Sequence, residues 1–135
     1  MPFTGNFTCN SFKSGLIDGD FDFDTDTFKI ALYTNSASLN ADTSAYTTTG
    51  EVVGSGYSSG GNTLTVSKGI TGGTAFVTFT DTSWSAAITA RGALIYKDGG
   101  ATVCVLDFGS DKTSTTTFSV DFPAASSTDA LIRLS

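Results

Sequence analysis

The sequence predicts an all-β protein, mainly an antiparallel β-sandwich or small barrel of about seven strands, with one short N-terminal helix. Three observations predict it. Thr, Ser and Gly are abundant, and these residues suit half-exposed strands and the turns between them. The helix formers are scarce, with Glu51 as the single glutamate and no glutamine. Short apolar alternations recur at close spacing between turn signals. The 135 residues fit one domain spanning 1–135.

The helix is predicted at "NSFKSGLIDG", residues 10–19. Asn10 or Ser11 can accept a hydrogen bond from the first free amides as the N-cap. Phe12, Leu16 and Ile17 are expected to share the buried face, and the glycine at the end of the segment closes the helix.

The first strand is predicted at "FKIALYT". Alternation should place Phe28, Ile30 and Leu32 on one face, with Lys29, Ala31 and Tyr33 on the other. The polar segment 35–46 that follows is interpreted as an ordered loop.

The second half of the chain predicts further short strands. "KDGG", residues 97–100, is a strong hairpin signal between two of them. "FGSDKTST", residues 108–115, is interpreted as a longer polar turn. The predicted strands are 63–67, 75–80, 88–97, 102–108, 117–122 and 130–134.

The stretch "DGDFDFDTD" carries carboxylates at alternate positions. It lacks the glycine and the bidentate acid that an EF-hand loop requires at fixed positions. Alternation with phenylalanines predicts an extended segment, with carboxylates in water and rings on the core. A looser cation site and a basic partner surface both remain open. The residues of this predicted acidic face are Asp18, Asp20, Asp22, Asp24 and Asp26.

Other chemistry finds little support in the residue types. There is no histidine, so Ser–His and Cys–His pairs are absent, and we predict no catalytic residue, metal or cofactor. Cys104, inside an apolar run, is interpreted as a core thiol, and it and Cys9 are expected to be free and buried. Trp84 is interpreted as a core or interface residue, with a sugar-stacking platform as the alternative.

Charge and apolar patterning restrict the partners. The formal net charge of −6, with seven Lys and Arg, disfavours nucleic-acid binding. No apolar run approaches the ~20 residues of a membrane span. The N-terminal residues show no secretory signal, so synthesis in a reducing cytoplasm is expected.

Several segments resemble a small family of virion structural proteins of tailed bacteriophages. The resemblance lies in residues 28–64 and 90–123 and in the closing "ALIRL", preceded by "CNSFKSGLIDGDFDF". Its motifs are the ALYT strand, the GEV-GxGY-GG segment and the ARGALIY strand, in that order. The resemblance implies a small non-enzymatic β-protein assembled on the particle, with phage structural proteins as partners and no site residues that can be carried over.

Within that class we expect a capsid decoration protein, bound to the outside of the assembled shell and forming a homo-oligomer there. A tail, neck or fibre-associated subunit is the alternative. A carbohydrate- or host-binding module is the second alternative, with Trp84, Tyr33, Tyr46 and Tyr57 as its platform.

The Gly-rich loop, residues 50–61, is the predicted contact loop, with Tyr57 as an aromatic anchor; an ordinary packed loop is the alternative. Its glycine density predicts left-handed backbone or close approach of another segment. The predicted contact residues are Gly50, Glu51, Gly54, Gly56, Tyr57, Gly60 and Gly61.

Overall fold

The computed structural model describes residues 3–135, which form ten strands and one helix. All strand pairs are antiparallel, and the predicted all-β class with one short helix is confirmed. The elements are β1 Phe7–Thr8, α1 Asn10–Asp18, β2 Phe28–Tyr33, β3 Asn62–Leu64, β4 Val66–Thr71, β5 Thr74–Phe79, β6 Thr82–Trp84, β7 Thr89–Lys97, β8 Thr102–Thr113, β9 Phe118–Val120 and β10 Ile132–Leu134.

The strands form three sheets. The largest has the order β1-β8-β7-β2-β3, a three-stranded sheet has the order β10-β5-β4, and β6 pairs with β9. One face of the five-stranded sheet packs against side chains from the two smaller sheets, among them Phe79, Trp84 and Phe118. Its other face is covered by Phe3 and by the 35–46 loop, which buries Leu39. The large sheet is therefore buried on both sides.

Strand β2 lies inside the large sheet, between β7 and β3. Phe28, Ile30 and Leu32 join the core shared with the smaller sheets. Ala31 and Tyr33 join the core on the opposite face. The predicted alternation is confirmed, and both faces are apolar because both are covered.

The end of helix α1 is as predicted, since Gly19 adopts a left-handed φ of 78°. The predicted N-cap is wrong. The helix follows Cys9, which makes no side-chain capping bond. Ser11 Oγ donates instead to the Thr102 carbonyl, 2.9 Å away. This bond ties the first turn of the helix to strand β8.

The predicted apolar face of α1 is also partly wrong. Phe12 is buried, but Leu16 lies at the surface and Ile17 is 88% exposed. At 3.6 residues per turn, a residue five positions after Phe12 points well away from it. Ile17 is consequently left in solvent, and Leu16 is exposed as well.

The β7–β8 hairpin confirms the "KDGG" turn, where Gly99 has a φ of 73°. The predicted polar turn at 108–115 is wrong, because β8 continues to Thr113 and pairs there with Thr89. A shift of register between Ala90 and Gly92 accompanies this extension. Ladder hydrogen bonds, rather than apolar alternation, define the polar end of this strand.

Other strand boundaries differ from the prediction because strand pairing sets them. The predicted strand 63–67 is two strands, since β3 pairs with β2 and β4 then pairs with β5. The short strands β1 and β6 were not predicted. Two or three residues carry too little periodicity to be recognised.

Both cysteines are free and buried, as predicted. Within residues 3–135, no helix has the length and apolarity that crossing a bilayer requires.

Candidate interaction surfaces

The Gly-rich loop, residues 50–61, begins beside β2 and requires glycine at several positions. Gly50, Gly56, Gly60 and Gly61 have left-handed φ values of 79°, 89°, 98° and 77°. A Cβ on Gly61 would lie 1.8 Å from the Ile30 carbonyl oxygen. The prediction of left-handed backbone and close approach is confirmed, and the approaching segment is the chain's own strand β2.

The carboxylate of Glu51 is buried beneath this loop. Tyr46 Oη donates to its Oε1 at 2.5 Å, and Tyr57 Oη donates to its Oε2 at 2.7 Å. The backbone N–H of Gly60 donates to the same Oε2 at 2.8 Å. Three donors therefore satisfy a charge that would be costly to bury alone.

All four tyrosines of the chain hold the loop and its flank. Tyr33 Oη donates to the Thr47 carbonyl at 2.7 Å, and Tyr96 Oη donates to the Gly60 carbonyl at 2.7 Å. Tyr57 Oη also accepts the Leu32 N–H of β2. Desolvation raises the pKa of Tyr57 and Tyr33, with Glu51 adding to the effect, and it raises the pKa of Tyr96 to about 12. These phenols stay neutral donors at ordinary pH.

This network changes the predicted contact loop. Glu51, Tyr57 and Gly60 are buried and make their polar contacts inside the molecule, so Tyr57 as a surface anchor is wrong. Gly54 and Gly56 lie in the exposed tip, with Val53 93% exposed beside them. A contact through that tip stays a prediction.

The aromatic platform of a sugar-binding module is not formed. Tyr33, Tyr57 and Trp84 are buried, and Tyr46 stacks on Tyr96 with ring centroids 4.9 Å apart. The Trp84 ring packs near Tyr57 with centroids 5.9 Å apart, as a core residue. Its Nε1 has no hydrogen-bond partner among the described residues.

The thiol of Cys104 also belongs to the core. Desolvation raises its pKa to about 12, with the nearby Cys9 adding to the shift. The thiolate is the nucleophilic form, so this side chain is held in its unreactive state at neutral pH.

The acidic segment, residues 18–26, is not the extended segment that its alternation predicted. Asp18 is the last residue of α1, and residues 23–25 form a turn. The Asp22 carboxylate accepts the Asp24 N–H at 2.8 Å, and the Asp26 carboxylate accepts the Asp22 N–H at 2.8 Å. Local side-chain bonds of this kind let aspartates compete with a strand ladder.

The inward position of the phenylalanines is confirmed. Phe21 lies edge-on to Phe12 with centroids 4.9 Å apart, and Phe23 stacks on Phe28 at 4.6 Å. Both rings are partly buried against the main core. The segment is thus anchored by its rings although its backbone is a turn.

The carboxylates of the acidic segment differ in their partners. Asp24 forms an ion pair with Lys68 at 2.7 Å, and Asp26 forms one with Lys97 at 3.2 Å. The Asp24 N–H and the Thr25 side chain lower the pKa of Asp22. Asp18 and Asp20 are exposed. Among residues 3–135, no three acidic or cysteine side chains converge as a metal site would require.

A further surface, which sequence reasoning missed, is a cleft between α1, the ring of Phe23 and the three-stranded sheet. We call it the apolar cleft; its volume is about 390 Å³. Leu16, Ile70 and Leu134 line it and are 36%, 72% and 57% exposed. The sequence signal for the cleft was weak, because each of these residues lies in a helix or strand whose apolar pattern is that of a buried face. Only packing shows that their faces are left uncovered.

Comparison of the chain with protein-family models, with curated proteins and with solved structures found no match in any of the three.

Proposed function

We propose that the protein is a non-enzymatic structural component of a tailed-bacteriophage particle, and specifically a capsid decoration protein bound to the outside of the assembled shell. The ALYT, GEV-GxGY-GG and ARGALIY segments occur in the same order as in virion structural proteins of tailed bacteriophages, and this resemblance supports a virion structural role. The observation that carries a binding role is the apolar cleft, where Leu16, Ile70 and Leu134 stay exposed although most other large apolar side chains are buried or partly buried. Exposed apolar groups that adjoin one another are typical of contact sites.

The burial and hydrogen bonding of the fold favour a protein that docks as a preformed body. Its large sheet is buried on both faces, and the Gly-rich loop is held by the Glu51 and tyrosine hydrogen bonds. Binding that needs no ordering of the protein avoids part of the entropic cost of association. A subunit that binds many identical sites on a completed shell would have this lower cost at every site.

The first test is a quantitative peptide count of purified virions, separated into heads and tails after controlled disruption. We expect hundreds of copies in the head fraction. A few to some tens of copies in the tail fraction would replace the decoration role with the tail-associated alternative. Absence from both fractions would overturn the virion assignment.

A second test concerns what the bound protein does. Shells lacking it should assemble but release DNA at lower temperature or lower ionic strength than complete shells. Adding back the purified protein should restore their resistance. Shells of equal stability with and without the protein would contradict a cementing role.

A further inference from the structure

The three-stranded sheet ends in a long free edge. Strand β4 has six residues, whereas the strands at the other edges of the two larger sheets, β1, β3 and β10, have two or three. Its residues from Lys68 to Thr71 are all exposed. Native edge strands are commonly short, charged or interrupted by proline, which discourages pairing with another chain. β4 has no proline and one charged residue, so it lacks this protection.

The register of the β4–β5 hairpin determines which backbone groups of β4 face outward. Its turn has two residues, and the Thr80 N–H donates to the Thr65 carbonyl oxygen at 3.0 Å. Bonded and non-bonded pairs alternate along an antiparallel ladder, so the odd-numbered residues of β4 are the ones bonded to β5. The N–H and C=O groups of Lys68 and Ile70 consequently point away from β5. Within residues 3–135, no other strand and no backbone group outside the sheet bonds to them.

This free edge is complementary to itself. When two copies of β4 lie antiparallel about a two-fold axis at Gly69, Lys68 of each copy stands opposite Ile70 of the other. Each facing pair exchanges two hydrogen bonds, so the free N–H and C=O groups of both residues find partners in both copies. Gly69 faces itself at the axis, in a non-bonded pair where the two backbones come closest. It has no side chain to obstruct that approach.

The side chains agree with the same register. Residues that face each other across two strands lie on one side of the sheet, so Ile70, which is 72% exposed, meets the methylenes of Lys68 of the second copy. The Lys68 ammonium pairs with Asp24 of its own chain at 2.7 Å, so its charge is balanced where the copies meet. A register centred on Lys68 would place two lysines opposite each other, which is unfavourable.

We propose that β4 pairs with β4 of a second copy of the chain, which joins the two three-stranded sheets into one continuous sheet. The two-fold axis is perpendicular to this sheet, so the apolar clefts of both copies open on the same side of it. The pairing itself does not depend on the proposed function; the use of both clefts on one shell surface does. The contact is small, so the dimer is weak and exchanges with the monomer.

Sedimentation of the full-length protein over a wide range of concentrations tests the dimer. The buffer contains enough salt to screen the net charge of −6 on each copy. We expect the mean mass to rise with concentration from that of a monomer towards that of a dimer, and to go no further, because a two-fold contact closes on itself. A monomer at every concentration would overturn the inference, and so would growth beyond the dimer.

Two variants at Ile70 separate the backbone pairing from the side-chain contact. Ile70→Pro removes an outward-facing N–H that the β4–β5 ladder does not use, so the fold should tolerate it. It should weaken the dimer roughly tenfold or more, because one hydrogen bond is lost and its acceptor is left unpaired. Ile70→Thr keeps the N–H and the branched shape, and it should still dimerise. Thermal unfolding checks that both variants are folded.

The outcomes of this pair are distinct. Equal dimerisation by Ile70→Pro and the wild type would overturn the inference. An equal loss in Ile70→Pro and Ile70→Thr would indicate an apolar contact without strand pairing, and it would overturn the inference as well.

Disulfide trapping tests the register. With the axis at Gly69, Ser67 of one copy faces Thr71 of the other in a non-bonded pair, where facing side chains are closest. A mixture of Ser67→Cys and Thr71→Cys should therefore form a disulfide-linked heterodimer under mild oxidation. Either variant alone should not, because its introduced thiols lie four residues apart along the paired strands; both native cysteines are buried. Equal cross-linking in the mixture and in the single variants would overturn the register.

These experiments use the purified protein alone, so their failure is distinguishable from failure of the proposed function. A protein that dimerises through β4 but is absent from virions keeps this inference and loses the decoration role. A protein found in the head fraction that stays monomeric in solution and forms no heterodimer cross-link keeps the decoration role and overturns this inference.

Discussion

The Gly-rich loop and the acidic segment are the two most unusual stretches of the sequence. The carboxylate of the first is buried, whereas those of the second lie at or near the surface. The Gly-rich loop has one carboxylate, Glu51, which is buried and accepts three hydrogen bonds. The acidic segment has five, of which Asp24 and Asp26 pair with lysines near the surface. The single carboxylate of the Gly-rich loop is therefore expected to contribute more to stability than the five of the acidic segment.

The difference follows from solvation. In water a carboxylate exchanges one set of hydrogen bonds for another, so an exposed ion pair adds little. A buried carboxylate with complete partners is strongly held, and removal of either side leaves unsatisfied polar groups. Single substitutions in the Gly-rich loop should thus lower the stability of the protein strongly. Substitutions in the acidic segment should change the stability little and alter mainly the surface electrostatic potential.

The largest expected effect is at Gly61. Gly61→Ala places a Cβ against the Ile30 carbonyl of β2 and forces a left-handed conformation on alanine. Strain and overpacking together should cost roughly 4 kcal/mol of unfolding free energy. Gly54→Ala in the same loop meets no atom within 4 Å and serves as the control. Similar denaturation midpoints for the two variants would contradict the close packing of the loop on β2.

The next effect is at Glu51. Glu51→Ala leaves the Tyr46 and Tyr57 hydroxyls and the Gly60 amide without their acceptor, and should cost about 3 kcal/mol. Urea denaturation measures this cost. Asp24→Ala, from the acidic segment, is the comparison and should leave the midpoint nearly unchanged. A larger loss from Asp24→Ala would reverse the contrast between the two regions.

The tyrosines predict a fall in stability at alkaline pH. Burial raises the pKa of Tyr33 and Tyr57, and that of Tyr96 to about 12, above the ordinary value near 10. Between these values the unfolded chain loses protons that the folded chain keeps, so stability is full below pH ~10 and falls as pH rises. Each tyrosine should contribute a loss of about 1 kcal/mol between pH 10 and 11.

Denaturant titrations at several alkaline pH values measure that slope, and tyrosinate absorbance reports ionisation. We expect these three phenols to ionise together with unfolding. Complete tyrosinate formation near pH 11 in a protein that is still folded would show that the hydroxyls are open to solvent.

The smallest effect is expected at the Lys68–Asp24 ion pair. Lys68→Ala should leave the unfolding free energy unchanged within the error of a denaturation curve, because the pair is largely exposed. Lys112→Ala is the matched control, since Lys112 has no ion pair among the described residues. A clear difference between the two variants would show that the acidic segment is held by this pair as well as by its rings.

Local pattern predicted much of the fold. Alternation placed the residues of β2 on their correct faces, Gly19 marked the end of the helix, and "KDGG" marked the hairpin, because each depends on neighbours a few residues apart. The inward rings of Phe21 and Phe23 were predicted by the same alternation. The exposed Ile17 was misplaced because its apolar character was taken for burial.

Long-range pairing decided the rest. The polar end of β8 is a strand because Thr89 and its neighbours supply partners, and the 63–67 segment is divided because β2 and β5 each pair with part of it. The burial of Glu51 had a faint signal in the sequence, as the lone glutamate inside a Gly-rich segment that also holds a tyrosine. Its donors come from positions 46, 57 and 60, which local periodicity does not connect.

The sequence by itself determined the all-β class, the two apolar faces of β2, the end of the helix and the acidic composition without histidine, because composition and short-range spacing specify these. The tertiary structure alone decided which polar groups are buried and which apolar groups are exposed. Solvent access depends on what the remainder of the chain places above each residue. The tyrosine-bound Glu51 and the apolar cleft are therefore visible only in the folded protein.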